Sequence, residues 1–240
     1  MIRALLVLSL IAIAGPATAQ DLTIPLGDDG SLATRSIQLL ILITLLSVVP
    51  GLLIMVTCFP YIVTVLAILR QAIGLQQSPP NMLIVTLALF LTYFVMEPVF
   101  LEAWAAGIAP LIDGDLTLEA GFLEAVGPFR TFMSGRIDPG TFESLATLRP
   151  GVAPDQSIPE SPLSVLVPSF LLSEIARAFQ IGFIIFLPFL IIDLVVAAIL
   201  MSMGMMMVPP AIVSLPFKLA FFVVADGWSL IAGSLVRSYF

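Results

Sequence analysis

The sequence predicts an all-α, integral membrane-type protein of long, kinked helical hairpins, with about four hydrophobic spans after a signal peptide and a small, partly helical extracytoplasmic insert. Three observations predict this fold class. Of 240 residues, 60% are hydrophobic and only 10% are charged, whereas about 25% of residues are charged in typical soluble domains. The apolar runs are longer than the roughly 20 residues that a membrane helix needs. The acidic residues are concentrated between these runs, which predicts one segment in water.

Residues 1–19 have the features of a secretory signal peptide. A positively charged start precedes a short apolar run and the small-x-small pattern typical of a cleavage site. Because the apolar run is too short to cross a bilayer, we expect cleavage between Ala19 and Gln20. An uncleaved N-terminal anchor is the alternative. Residues 20–35 would then form an extracytoplasmic tail.

Residues 36–97 predict a first helical hairpin. The first half of this segment is uncharged but includes Pro50 and Pro60, and prolines kink or break helices. Arg70 ends the uncharged run and marks the following loop as cytoplasmic by the positive-inside tendency. A second apolar span follows that loop.

Residues 98–162 predict an acidic extracytoplasmic domain. They hold nine acidic and three basic residues, which account for nearly all of the chain's net charge of −7. Apolar residues recur at helical spacing, among them Leu118, Phe122 and Ala125, so we expect a small, partly helical domain. A disordered loop is the alternative.

Residues 163–240 predict a second hairpin, with its turn in the methionine-rich stretch before the paired prolines. Asp193 and Lys218 each lie about twelve residues, or roughly 18 Å, from this turn along their helices. They would therefore lie at similar depth on antiparallel neighbours. Since charges within apolar spans need partners, we predict an intramembrane ion pair. This pair could fix the helix register, relay protons or contact other subunits.

Three further charges of this hairpin, Glu174, Arg177 and Asp226, are predicted to be buried. Glu174 and Arg177 lie three residues apart on one helical face, a spacing that allows a local pair. Asp226 follows Lys218 by eight residues and would lie on roughly the same face of a continuous helix.

Methionine is concentrated at the predicted turn, where five of the ten methionines fall between Met201 and Met207. Its unbranched, polarizable side chain conforms to irregular and changing surfaces. The structural interpretation is a hairpin tip that packs against a neighbour. The functional interpretation is a deformable seal around a pore, because hydrophobic constrictions exclude water and ions.

The composition argues against several kinds of function. Negative net charge and the absence of histidine argue against nucleic-acid binding and against a zinc or haem site, and we expect no metal or other cofactor. Cys58, the one cysteine, is interpreted as a small buried side chain rather than a reactive thiol. The sequence shows no convincing catalytic residues and no phosphate-binding loop, so we do not expect an enzyme. A subunit of a small-solute channel or secondary transporter is the competing function, and a scaffold without pore contact is a third.

The stretch from Ser173 to Asp193 resembles the FliP family of flagellar type III export-gate proteins. Shorter segments in the same order resemble it too: the methionine-rich segment through MMMVPP, LPFK at 215–218, DGW at 226–228, and, in the first half, 69–74 and 87–92. Two positions depart from the family. Tyr61 stands where the family often has arginine, and the base of its Ser-Glu-Leu-Lys pattern appears one position later, at Arg177.

The resemblance implies a pore-forming core subunit of the flagellar type III protein export gate, which passes unfolded flagellar subunits across the inner membrane. It implies a homo-oligomer of five copies with FliQ and FliR homologues and other membrane subunits of the export apparatus. The location it implies is the bacterial inner membrane at the flagellar basal body, with the acidic insert on the periplasmic side. It assigns the pore gasket to the methionine loop, here Met205, Met206 and Met207 flanked by Met201 and Met203.

Overall fold

The structure, a computed structural model, describes residues 32–75, 79–150, 157–205 and 207–240. Within these ranges the chain is helical and has no β-strand, so the all-α prediction is confirmed. The predicted signal peptide at 1–19, its cleavage site at Ala19 and Gln20, and most of the predicted tail at 20–35 lie outside the described residues.

The described ranges hold nine α-helices. They are α1 (Leu32–Met55), α2 (Phe59–Ile73), α3 (Asn81–Ala103), α4 (Ala109–Asp113), α5 (Leu118–Ser134), α6 (Pro139–Ala146), α7 (Leu163–Ser202), α8 (Pro210–Val224) and α9 (Gly227–Arg237). A π-helical turn at Trp104–Ile108 joins α3 to α4, and a 3-10 turn at Ile158–Glu160 precedes α7.

Three helical segments are long and apolar enough to cross a membrane, namely Arg35–Met55, Asn81–Asp113 and Leu163–Ser202. Helices α8 and α9, which meet at a bend of 61°, provide a fourth crossing if the pair is one span. The expected number of about four spans agrees with this result. Helix α3 runs through Pro98 and ends at Ala103, so the acidic insert begins within a continuous helix.

The chain divides into two units, residues 1–48 and 49–240. The described part of the first unit is helical and belongs to α1, whose apolar side chains are exposed. Pro50 lies inside α1 without ending it. The break falls after Met55, and Pro60 lies in the first turn of α2, where the missing N–H of proline costs no helical hydrogen bond.

The main core of the second unit forms around α2. Buried side chains recur along α2 at helical spacing, among them Ile62, Leu66 and Leu69, and they pack against residues of α3 and α7. Gly182 of α7 allows this packing to be close, because an added Cβ would lie only 2.5 Å from Cδ1 of Ile68. Helix α2 is therefore enclosed by apolar neighbours although it is too short to span a membrane.

The acidic insert packs against the first part of α7. Thr117 and Asp138 cap α5 and α6 by accepting hydrogen bonds from backbone N–H groups in the first turn of each helix, as N-cap residues commonly do. Phe142 of α6 is buried in a second core cluster with Leu166 and Phe170 of α7. For the described residues of the insert, the alternative of a disordered loop is therefore wrong.

Candidate functional site

The turn between α7 and α8 has the hydrogen bonds of a Schellman motif. Gly204 has a φ of 74°, a left-handed conformation that glycine adopts without steric cost. Its N–H donates to the carbonyl of Met201, and the N–H of Met205 donates to the carbonyl of Leu200, both at 3.0 Å. This pattern ends a helix and reverses the chain, so the methionine-rich stretch forms the tip of the hairpin.

The described methionines of this tip are exposed. Met207 is 98% exposed and Met205 is 41% exposed. Met201 and Met203, on the α7 side, are exposed as well, while Met206 lies outside the described residues. These exposed side chains do not form part of the core of this chain, which leaves them available to a neighbouring subunit or a passing molecule.

Asp193 of α7 and Lys218 of α8 lie together within one chain. The Lys218 Nζ is 2.6 Å from Oδ2 of Asp193 and donates a second hydrogen bond, of 3.1 Å, to the backbone carbonyl of Ala72. Ser214 donates its hydroxyl to the other carboxylate oxygen of Asp193. Because Ala72 is in the last turn of α2, where carbonyls lack helical partners, Lys218 joins three helices.

Glu174 is fully buried in α7 and is surrounded by hydrogen-bond donors. Its Oε1 accepts from Nε of Arg136 at 3.1 Å and from Nη1 of Arg177 at 3.2 Å. Its Oε2 accepts from the hydroxyl of Tyr239. The structure thus brings Glu174 and Arg177 together at the spacing noted in the sequence, and it adds two partners from distant parts of the chain.

Arg136 and Tyr239 were not among the residues predicted from the sequence. They come from the insert and from the segment after α9, and they lie 38 and 65 residues from Glu174 along the chain. No periodic pattern connects residues so far apart. Burial, followed by the nearby charge of Glu174, raises the pKa of Tyr239 above its ordinary value, so the phenol keeps the proton that it donates.

The prediction that Asp226 is buried on the Lys218 face is wrong. Asp226 is exposed because α8 ends at Val224 and Asp226 has a left-handed φ of 48° in the bend before α9. Aspartate tolerates this conformation better than most residues, and the bend ends the helical face that Asp226 was expected to share with Lys218. Arg177 was also predicted to be buried and is only partly so, since its side chain is 35% exposed at the edge of the Glu174 cluster.

Two residues near the start of α2 are buried without forming a reactive site. The Cys58 thiol lies 4.0 Å from the carbonyl oxygen of Thr92. Tyr61, at the position where the resembling family often has arginine, packs edge-on against Tyr239 with ring centres 5.6 Å apart. In the described part of the chain, no group of three or more histidine, cysteine or acidic residues is placed to hold a metal ion.

Similarity to known proteins extends over almost the whole chain. The sequence profile of the FliP family matches residues 42–235. The flagellar biosynthetic protein FliP of Caulobacter vibrioides is 51% identical over 224 residues, which cover 93% of this chain and 84% of that protein. The protein of the same name from Agrobacterium fabrum is 46% identical over 246 residues and the full length of both chains. That of Bacillus subtilis is 46% identical over 210 residues, or 86% of this chain and 93% of its own.

Proposed function

The chain belongs to the FliP family and is a component of the flagellar export apparatus, and we propose that it is a pore-forming core subunit of the type III export gate. In this role it passes unfolded flagellar subunits across the inner membrane and catalyses no reaction itself. The observation that supports the role is the exposed methionine tip of the α7–α8 hairpin. Exposed apolar surface of this kind marks a site of interaction.

The gasket of this proposed pore consists of Met205, Met206 and Met207, with Met201 and Met203 beside them. Thioether side chains are flexible and polarizable, so they fill gaps of changing shape. A ring of such side chains from several subunits would exclude water and ions from the constriction. It would still yield to an unfolded chain, because methionine changes rotamer easily.

The ion pair of Asp193 and Lys218 supports the hairpin that carries this gasket. In the proposal the pair lies at membrane depth and fixes the register of α7 against α8. A partnered charge is tolerated there, whereas an unpaired one is costly. The additional bond from Lys218 to the carbonyl of Ala72 supports the same role, since it ties the hairpin to the end of α2.

The proposed assembly is a homo-oligomer, a pentamer by family resemblance, with FliQ and FliR homologues and other export-apparatus membrane subunits. It lies in the bacterial inner membrane at the flagellar basal body, with the acidic insert on the periplasmic side. The exposed apolar surfaces of the three candidate spans support such an assembly, because they need lipid or protein to cover them.

Cysteine crosslinking of an arrested export substrate tests the proposed pore. Met205→Cys and Met207→Cys should each crosslink to the substrate, because the gasket encircles it. Leu118→Cys is the matched control, since Leu118 is exposed on the insert and away from the hairpin tip. Absence of crosslinks at both methionine positions, with export intact, would contradict the gasket. That outcome would favour the alternative of a small-solute channel or transporter subunit, or a scaffold outside the pore.

Replacing all three gasket methionines with alanine tests the seal itself. The smaller side chains should leave a wider constriction that water can wet, so ion conductance through the closed gate should rise. Conductance of the purified complex in a planar bilayer would measure this leak. Met82→Ala is the control, because Met82 is also exposed but lies in the first turn of α3. An unchanged leak in a normally assembled triple variant would argue against the seal.

A further inference from the structure

The first two residues after α9, Ser238 and Tyr239, contact distant parts of the chain, and we call them the α9 extension. The hydroxyl of Tyr239 donates to the buried carboxylate of Glu174 on α7. Arg136, which follows α5 in the insert, donates from Nη1 to the carbonyl of Ser238 at 2.8 Å. Its guanidinium also lies 4.1 Å above the centre of the Tyr239 ring. The extension therefore contacts both the insert and α7 through polar groups.

Aromatic packing adds two further contacts to the same side chain. The ring of Tyr239 stacks on Phe132 of α5, with centres 5.9 Å apart and planes inclined by 16°. It also meets Tyr61 of α2 edge-on. Stacked and edge-to-face pairs both stabilise packing beyond the area that they bury. A single tyrosine thus touches α2, α5 and α7.

The charges at this point make the contacts depend on one another. A buried carboxylate is costly unless it is paired and hydrogen-bonded, and Glu174 receives donors from Arg136, Arg177 and Tyr239. Arg136 is held in turn by the carbonyl of Ser238 and by the face of the Tyr239 ring. Removing the tyrosine would therefore loosen Arg136 as well as remove a donor from Glu174.

We propose that the α9 extension is an intramolecular latch that fixes the acidic insert to the membrane helices. Tyr239 holds the carboxyl end of α5 through Phe132 and Arg136, and it holds α7 through Glu174. Opening of the latch would loosen the junction between α5 and α6 from α7, while Phe142 keeps α6 packed in the second core cluster. The hairpin tip would keep its own support, because Asp193 and Lys218 belong to a separate set of contacts. The latch is thus independent of the proposed gasket.

Hydrogen–deuterium exchange of the assembled complex in mild detergent tests the latch. The variants are Tyr239→Ala, which removes the ring and hydroxyl, and Tyr239→Phe, which removes the hydroxyl alone. Phe240→Ala is the matched control, because the neighbouring Phe240 is 79% exposed. The peptide that reports latch opening covers residues 130–146, and a peptide covering 210–224 serves as the internal reference.

Tyr239→Ala should raise exchange over 130–146 by more than about tenfold, because it loses the ring contacts in addition to one hydrogen bond to a charged group, whose loss alone would give about tenfold. Tyr239→Phe should raise it less, while Phe240→Ala and the 210–224 peptide should remain at the parent level. Exchange over 130–146 at the parent level in Tyr239→Ala would overturn the latch. If Tyr239→Ala fails to assemble, Tyr239→Phe decides: raised exchange supports the latch, and parent-level exchange overturns it. Because the measurement does not require export, failure of the gasket proposal would leave this result unaffected.

Discussion

Lys218 links three helices through one ammonium group, since it contacts Asp193 of α7 and the carbonyl of Ala72 at the end of α2. Lys218→Ala should destabilise the protein by about 3 kcal/mol, because breaking a buried pair leaves an uncompensated charge. This value is at the lower end of the range usual for a broken buried ion pair. The Asp193 side chain is one-third exposed, so water reduces the cost of leaving its charge unpaired. The temperature at which the complex dissociates in detergent would report this loss.

A second substitution separates pairing from other effects of Lys218. Asp193→Ala in the same chain should restore part of the lost stability, because no unpaired carboxylate would remain. Recovery would be incomplete, since the carbonyl of Ala72 would still lack its donor. Arg149→Ala is the control for removal of a positive charge, as Arg149 is exposed. A double variant no more stable than Lys218→Ala alone would show that the two charges do not support each other.

Sequence patterns predicted pairs of residues but not the third and fourth partners in each site. Asp193 and Lys218 are symmetric about a recognisable turn, and Glu174 and Arg177 share one helical face, so local geometry predicts each pair. The remaining partners are brought in by packing between elements, which has no periodic signature in the sequence. These are Ser214 and Ala72 at the first pair, and Arg136 and Tyr239 at the second.

The close packing of α2 against α7 depends on Gly182. An added Cβ would lie 2.5 Å from Cδ1, 3.0 Å from Cγ2 and 3.3 Å from Cβ of Ile68, so the Ile68 side chain would have to move and would disturb the packing of the two helices. Gly182→Ala should cost about 1–3 kcal/mol, the usual range for overpacking. Adding Ile68→Val, which removes Cδ1, should recover part of the loss. Thermal dissociation of the complex would measure both effects.

Gly127→Ala is the control for the Gly182 substitution. Gly127 also lies inside a helix, α5, but nothing lies within 4 Å of the Cβ that would be added. Alanine there should be neutral or stabilising by up to about 1 kcal/mol, because it has the higher helix propensity. Equal effects at the two positions would show that contact with Ile68 does not limit the approach of α2 to α7.

Gly107→Ala should be more damaging than Gly182→Ala, because its neighbours are backbone atoms. The added Cβ would fall within 3.0 Å of the carbonyl oxygen of Gly121 and the amide nitrogen of Ala125, both on α5. A side chain can change rotamer to relieve a clash, whereas these atoms are fixed by the helix. We expect increased proteolysis of the insert between α4 and α5 at a temperature where Gly182→Ala remains resistant. Unchanged resistance in Gly107→Ala would show that the contact between the π-helical turn and α5 can relax.

Helix boundaries were harder to predict than the helices themselves. The break that proline predicted within the first apolar run is present after Met55, but α1 continues through Pro50 and α7 continues through Pro168 and Pro188. Prolines are tolerated in membrane helices because neighbouring groups and local adjustments satisfy the freed carbonyls. The bend at Asp226, in contrast, interrupts a segment that periodicity alone would make continuous, and it depends on a single left-handed residue.

For the whole molecule, the 60% hydrophobic content predicted a membrane protein, and the structure shows how little of that apolar surface the chain buries by itself. In the most apolar 18-residue windows of the three candidate spans, the buried shares are 0%, 28% and 17%. Lipid alone would be enough to cover the exposed faces of these helices if the faces were purely apolar. Asp193, however, leaves one-third of its side chain exposed on the longest of these helices, and a carboxylate facing acyl chains is costly. The surface near Asp193 is therefore expected to face protein or water.

The particle extracted from the membrane is expected to contain several protein chains. In mild detergent, the protein mass determined by light scattering should exceed that of one 25.7 kDa chain several-fold, with other export-apparatus subunits present. If lipid were the main cover, separate monomers would be recovered instead. That outcome would mean that the exposed part of Asp193 faces water within each chain, and that neighbouring subunits are not needed to shield it.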